Sequence, residues 1–270
     1  MIPKKFSLAL GGGGARGLAH IGVIRYLEEQ NARPIAISGT SMGSIIGTLY
    51  ALGKSSHQME DILEEIEWLK LVDFDMKRGL LKGVKVEKYL DGLFEGKSFE
   101  DLQIPLTLTA TDLDTGEGIL FHSGKLAPAL RSSIGIPGVF SPKEYQDRVL
   151  VDGGLTANLP IEILPEGEVI AVSAMRDLSR KVHYRTKIFS LDWQNTLFSN
   201  GYHLMQKTID IMLSQNENRS VLSRKKVHYI RPEFDGLDYY EFGKYKAFIE
   251  SGYKKASGVL GALKRNFYFF

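Results

Sequence analysis

Ile35-Ala36-Ile37-Ser38-Gly39-Thr40-Ser41-Met42-Gly43 runs without a break into the helix-like segment Met42–Leu52. Ile35–Ser38 is a short apolar run behind Pro34 and reads as a strand. Gly39-Thr40-Ser41-Met42-Gly43 is a G-x-S-x-G pentapeptide between that strand and the helix. A sharp strand-to-helix turn crowds backbone against neighbouring side chains, so glycine is needed on either side of the serine. Such a turn lifts the hydroxyl clear of the sheet, at the amino end of a helix. There the free N–H groups and the helix dipole favour developing negative charge. The pentapeptide alone recurs by chance in many chains. With a strand before it and a helix after it, Ser41 reads as a nucleophile rather than an ordinary turn residue.

The same alternation extends in both directions. Phe6–Leu10 is a compact apolar run ending at Gly11-Gly12-Gly13-Gly14, and Leu18–Gln30 follows as a helix. Leu106–Thr111, Ile119–Phe121, Val149–Val151 and Val169–Val172 read as further strands. Strand, glycine turn, helix, repeated, predicts an α/β fold: a single three-layer α/β/α domain over residues 1–270 with a mainly parallel central sheet. His57–Leu71 reads as an amphipathic helix with Ile62, Ile66 and Leu69 on one side. Leu71–Phe94 has few strong signals and is either a lid or a peripheral packing element.

Composition narrows the function. The chain has 270 residues, 43% of them hydrophobic and 24% charged, which supports a sizeable core and argues against disorder. A net charge of +2 is too balanced for whole-molecule nucleic-acid binding. The absence of cysteine removes a disulfide scaffold, a thiolate metal site and a cysteine nucleophile. No stretch approaches the ~20 apolar residues of a membrane helix. Met1-Ile2-Pro3-Lys4-Lys5 is not followed by a signal-peptide core, so a cytoplasmic location is expected. Residues 218–270 hold 11 basic and 5 acidic side chains, include Arg224-Lys225-Lys226 and end in Phe267-Tyr268-Phe269-Phe270. That part reads first as a solvated face with a packed end, and second as a peripheral contact with an anionic membrane.

Two further motifs bear on chemistry. Gly12-x-Gly14-x-x-Gly17 matches a dinucleotide fingerprint, but Ile35–Thr40 lacks the acid expected about 20 residues on. A phosphate-cradling loop needs Gly-Lys-Ser/Thr, whereas Leu18 follows Gly17. Two readings remain: a tight structural turn, or an oxyanion hole in which Gly12, Gly13 and Gly14 offer backbone N–H groups and Arg16 adds positive potential or orients the loop. Val149-Leu150-Val151-Asp152-Gly153-Gly154 puts an acid at a strand end ahead of two glycines. A Ser–His–Asp hydrolase needs a histidine as well, and none of His20, His183, His203 or His228 stands in a suitable setting.

At these motifs the chain resembles the patatin-like phospholipase family. Gly12-Gly13-Gly14-Ala15-Arg16-Gly17 is similar to its oxyanion loop, Gly39-Thr40-Ser41-Met42-Gly43 to its nucleophile elbow, and Asp152-Gly153-Gly154 to its Asp-Gly-Gly/Ala motif. Ala129–Phe140 is similar to a segment of bacterial members, and the resemblance covers roughly residues 5–175. It implies a Ser41–Asp152 dyad without histidine, acting on phospholipid or other acyl esters with no cofactor and no metal. Gly17, Gly39, Gly43, Gly153 and Gly154 would support the motifs. Transfer of the acyl group to another acceptor, or a catalytically silent lipid-binding protein of the same fold, are the alternatives. Acyltransferases of a related fold usually carry histidine where Thr40 stands.

Overall fold

The structure, a computed structural model, describes residues 2–75, 80–178, 187–188, 191–192 and 197–265. The first five elements are β1 (Phe6–Leu10), α1 (Ala19–Glu29), β2 (Ile37–Gly39), α2 (Met42–Ala51) and α3 (Ser56–Glu65). A short antiparallel pair, β3 (Phe74–Asp75) and β4 (Leu80–Leu81), precedes α4 (Val84–Leu93). Next come β5 (Leu106–Asp112), β6 (Gly118–Phe121), α5 (Leu126–Ser133), β7 (Lys143–Tyr145), β8 (Arg148–Asp152) and the single turn α6 (Gly154–Ala157). Beyond them lie β9 (Glu168–Val172), the paired β10 (Lys187–Ile188) and β11 (Leu191–Asp192), α7 (Leu197–Leu222), β12 (Val227–Ile230) and α8 (Tyr245–Arg265).

The central sheet runs β12-β9-β1-β2-β5-β8-β7, with β6 also paired to β5. Strands β12, β9, β1, β2 and β5 are parallel; β6 and β8 pair antiparallel with β5, and β7 pairs antiparallel with β8. The innermost strands are buried on both faces, which explains why Phe6–Leu10 and Val169–Val172 are near-continuous apolar runs. On one face Phe6, Leu8, Leu10, Ile37, Ile170 and Ile230 pack with Leu18, Ile21, Ile46, Phe248 and Leu260 from the helices. On the other, Ala9, Val169 and Ala171 meet Leu159, Ile161, Leu164 and Val221. Helical and loop layers on both faces give the three-layer α/β arrangement. Among the described residues no helix is long and apolar enough to cross a membrane.

Two details differ from the sequence reading, and a third bears on an alternative it left open. Val149–Val151 belongs to β8, the second arm of a hairpin that returns antiparallel along β5. Gln146 and Asp147, at φ 47° and 60°, make the two-residue turn that reverses the chain. The helix after His57 stops at Glu65 rather than Leu71. Ser55 and Gln58 form a capping box at its start, while acids crowd its carboxyl end, where the dipole disfavours them. It buries Met59 and Leu63. Within Leu71–Phe94 the described residues pack: Leu90 and Phe94 are buried, and the Asp73 carboxylate accepts the N–H groups of Gly83 and Lys85 at 2.8 and 2.9 Å. The Phe267–Phe270 end lies outside the described residues. Arg224 donates to the Pro165 carbonyl at 2.7 Å, and Lys226 lies 3.5 Å from Glu168.

The C-terminal helix joins this core through an unusually close crossing. A Cβ on Gly252 of α8 would stand 1.9 Å from the Ala19 carbonyl oxygen, and one on Gly22 of α1 would stand 1.8 Å from that of Ile249. Two backbones can touch only where neither carries a side chain. Gly252→Ala is therefore expected to destabilise the protein by about 1–3 kcal/mol. Gly258→Ala, at an open position of the same helix, should stabilise it by up to about 1 kcal/mol. Urea denaturation of the two variants checks this, and equal effects would contradict the crossing.

Candidate active site

Sheet register gathers the three motifs. Leu10 pairs with Gly39, Gly39 with Leu108, and Ala110, two residues further along β5, with Asp152. The glycine loop leaving β1, the serine turn leaving β2 and the end of β8 thus meet at the carboxyl ends of the parallel strands. That is where open α/β sheets bind ligands.

Ser41 caps α2 with φ 53° and ψ −123°, a left-handed backbone that costs a non-glycine residue energy and persists only under constraint. The constraints are explicit. Its N–H donates to Ser133 Oγ at 3.0 Å, and its carbonyl accepts the Ser44 N–H at 2.9 Å and the Ser44 hydroxyl at 2.5 Å. Thr40 Oγ1 lies 2.7 Å from Thr109 Oγ1 and donates to the Ala157 carbonyl at 2.7 Å. A Cβ on Gly43 would fall 2.2 Å from the Leu10 carbonyl oxygen, so α2 starts directly on the end of β1.

Asp152 is buried, and burial raises its carboxyl from 3.8 to about 6. The neighbouring Ser41 hydroxyl and the Gly154 N–H pull in the opposite direction. Oδ1 accepts that N–H at 2.8 Å, while Oδ2 has no aligned partner. Ser41 is thus close enough to favour the carboxylate without a well-aligned hydrogen bond. Catalytic hydrogen bonds often reach alignment only with substrate bound.

In the glycine loop the amides are unevenly committed. Gly11 N–H donates to the Val172 carbonyl at 3.0 Å and Gly12 N–H to the Asn158 carbonyl at 3.1 Å. The N–H groups of Gly13 and Gly14 make no hydrogen bond among the described residues. A Cβ on Gly12 would stand 3.0 Å from that of Ser41, so loop and turn share one small volume. His20 Nε2 donates to the Gly11 carbonyl at 2.8 Å; burial lowers its pKa to about 4, so the ring is neutral.

The patatin-like phospholipase sequence profile matches residues 8–165. The chain belongs to the patatin-like phospholipase family. An uncharacterized NTE family protein of Mycobacterium tuberculosis is 38% identical over 161 residues, covering 58% of this chain and 44% of that protein. Human patatin-like phospholipase domain-containing protein 6 is 27% identical over 282 residues, covering 96% of this chain and 20% of the human one. The chain therefore spans less than half the length of these relatives. In fold it is similar to VipD from Legionella pneumophila, with a TM-score of 0.65, 15% identity, and coverage of 96% of this chain and 67% of VipD. The type III effector ExoU gives a TM-score of 0.50 at 14% identity, covering 96% of this chain and 53% of ExoU.

Within the patatin-like site the structure brings together Ser41, Asp152 and Gly12–Gly14. Side chains at Gly17, Gly39, Gly153 and Gly154 would press on Met42, Gly43, Thr109 and Asn158. Arg16 is buried, 3.9 Å from both Asp210 and Asp238 and over the Tyr239 ring. His228 pairs with Glu168 at 2.9 Å, while His183 and the side chain of His203 lie outside what the structure describes. Sequence reasoning missed Asn158 and Glu217, which sit in no local pattern that marks them, and gave no role to Ser133, although it lies within the Ala129–Phe140 segment. A pKa raised on folding has a stability consequence. The contribution is complete below about 3.8 and lost as pH rises through about 6, because the native state resists ionising Asp152. Asp152→Asn should therefore gain about 1–3 kcal/mol over wild type between pH 4 and pH 8. Urea denaturation at both pH values tests this; an unchanged difference would contradict the burial argument.

Proposed function

We propose that this protein is a serine lipid acyl hydrolase of the phospholipase A, lysophospholipase or esterase type. The observation that carries the reading is a serine held in a left-handed turn beside a buried carboxyl of pKa about 6, next to two unspent glycine N–H groups. In this mechanism Ser41 Oγ attacks the ester carbonyl and its proton passes to Asp152 Oδ2. The tetrahedral oxyanion is held by the N–H groups of Gly13 and Gly14. Collapse forms the acyl-serine, and Asp152 returns the proton to the departing alcohol oxygen. Water then gives a proton to Asp152 and attacks the acyl carbonyl. Release of the fatty acid returns that proton to Ser41. Gly12 contributes by packing on Ser41, since its own N–H is engaged. Arg16 orders the loop through its two aspartates.

Phospholipid or lysophospholipid esters are the proposed substrates, on the strength of the family. A cytoplasmic location and peripheral contact with an anionic membrane belong to the same proposal. The mechanism calls on no metal or cofactor.

Short-chain p-nitrophenyl ester hydrolysis tests it. Ser41→Ala and Asp152→Ala should each lower kcat by about 10³-fold or more. The wild-type kcat/KM should fall on the acid side of about pH 6, where the base is protonated. Chelator should leave the rate unchanged. Equal turnover by all three proteins would refute the assignment.

A further inference from the structure

Glu217 lies on α7, fully buried, and the proposed reaction gives it no part. Its Oε1 accepts Asn158 Nδ2 at 2.7 Å; its Oε2 accepts the Ser173 hydroxyl at 2.7 Å and the Tyr229 hydroxyl at 3.3 Å. Tyr229 in turn accepts Arg231 Nε at 2.8 Å. The same Asn158 Nδ2 donates to the Gly12 carbonyl at 3.3 Å, and the Asn158 carbonyl accepts the Gly12 N–H. We propose that Glu217 is a positioning residue that aims the oxyanion loop through Asn158. The inference rests on the reading of Gly13 as an oxyanion donor.

The argument follows from peptide geometry. In a trans peptide the C=O and the following N–H point in opposite directions. Holding the Gly12 carbonyl on Asn158 therefore turns the Gly13 N–H away from Asn158. A carboxamide has a donor end and an acceptor end, and the network decides which faces where. Oε1 of Glu217 accepts from Asn158, so it pins the nitrogen of Asn158 between Glu217 and the Gly12 carbonyl. With Glu217 gone, a flipped Asn158 would set Oδ1 against that carbonyl and release the peptide. The other carboxylate oxygen braces the far side of the loop. Ser173, which donates to it, accepts the Met175 N–H at 3.0 Å, and a Cβ on Gly13 would lie 2.5 Å from the Ala174 oxygen. Burial pushes the Glu217 carboxyl up to about 7, while Ser173, Arg231, Asn158 and Tyr229 favour its ionised form. A position serving packing alone would avoid that desolvation cost.

The test compares Glu217→Met, Glu217→Gln, Asn158→Ala and the Glu217→Met/Asn158→Ala double variant. It uses p-nitrophenyl ester kinetics and inhibition by a trifluoromethyl ketone, whose hydroxyl adduct places an oxyanion in the hole. Glu217→Met should lower kcat by about 10²-fold, the order of one lost oxyanion donor, with KM within about twofold. Affinity for the ketone should fall by the same factor. Glu217→Gln keeps an acceptor for Asn158, and the Ser173 and Tyr229 hydroxyls can rotate to accept its amide, so its kcat should stay within about fivefold of wild type. Because Glu217 and Asn158 act in series, the double variant should lose no more than the worse single one. Unchanged ketone affinity in Glu217→Met, additive losses, or a Glu217→Gln as impaired as Glu217→Met would overturn the proposal. If Glu217→Met does not fold, Asn158→Ala and Glu217→Gln decide it by the same readouts. A wild-type enzyme that the ketone fails to inhibit would instead overturn the oxyanion-loop reading itself.

Discussion

Gly43 rests on the carbonyl of Leu10, and no side chain fits between them. This contact places the first turn of α2 on the end of β1, so the serine turn and the glycine loop occupy one volume. From it follow the left-handed backbone of Ser41, the approach of Gly12 to the Ser41 side chain, and the need for small residues throughout. The hairpin before β8 completes the arrangement by bringing Asp152 back to the level of Ala110. Each piece is local; their convergence comes from the pairing of β1, β2, β5 and β8.

Electrostatics divides the labour among buried acids. A carboxylate at its ordinary pKa is a poor base near neutral pH, and His20, the histidine beside the glycine loop, spends its Nε2–H on the Gly11 carbonyl. Burial lifts Asp152 to about 6, which in the proposed reaction suits it to take a proton from Ser41. Glu217, also raised by burial, is surrounded by donors rather than aimed at a reacting atom. Asp210 faces Arg16 and Arg176 and stabilises the opening of the loop. The cost in stability of keeping such groups out of water is concentrated where the loop must be rigid.

Much of this was legible in the sequence because its signals are local. A strand, a glycine turn and a helix announce themselves within a few residues, and so did most of the sheet; the Ser41 turn stood out through its strand and helix, whereas Asp152 was singled out only with the family resemblance. What escaped depends on contacts distant in the chain. Gly12 looked like an oxyanion donor equal to Gly13 and Gly14, yet its N–H is spent on Asn158, 146 positions away. The direction of β8 hung on two left-handed turn residues, Gln146 and Asp147. Helix α7 inverts the usual pattern: Asp210, Ser214, Glu217 and Ser220 face inward while Ile211, Met212 and Leu222 face outward. No apolar periodicity marks Glu217, which lies buried beneath the loop.

The account requires that one oxygen of a tetrahedral centre on Ser41 meet the amide of Gly13. A crystal structure of the protein after reaction with an alkyl fluorophosphonate measures this directly. The phosphorus should be bonded to Ser41 Oγ, with its phosphoryl oxygen within ~3.1 Å of the Gly13 nitrogen and Asp152 beside the same centre. Phosphonylation at another residue, or a phosphoryl oxygen turned away from the glycine loop, would contradict it.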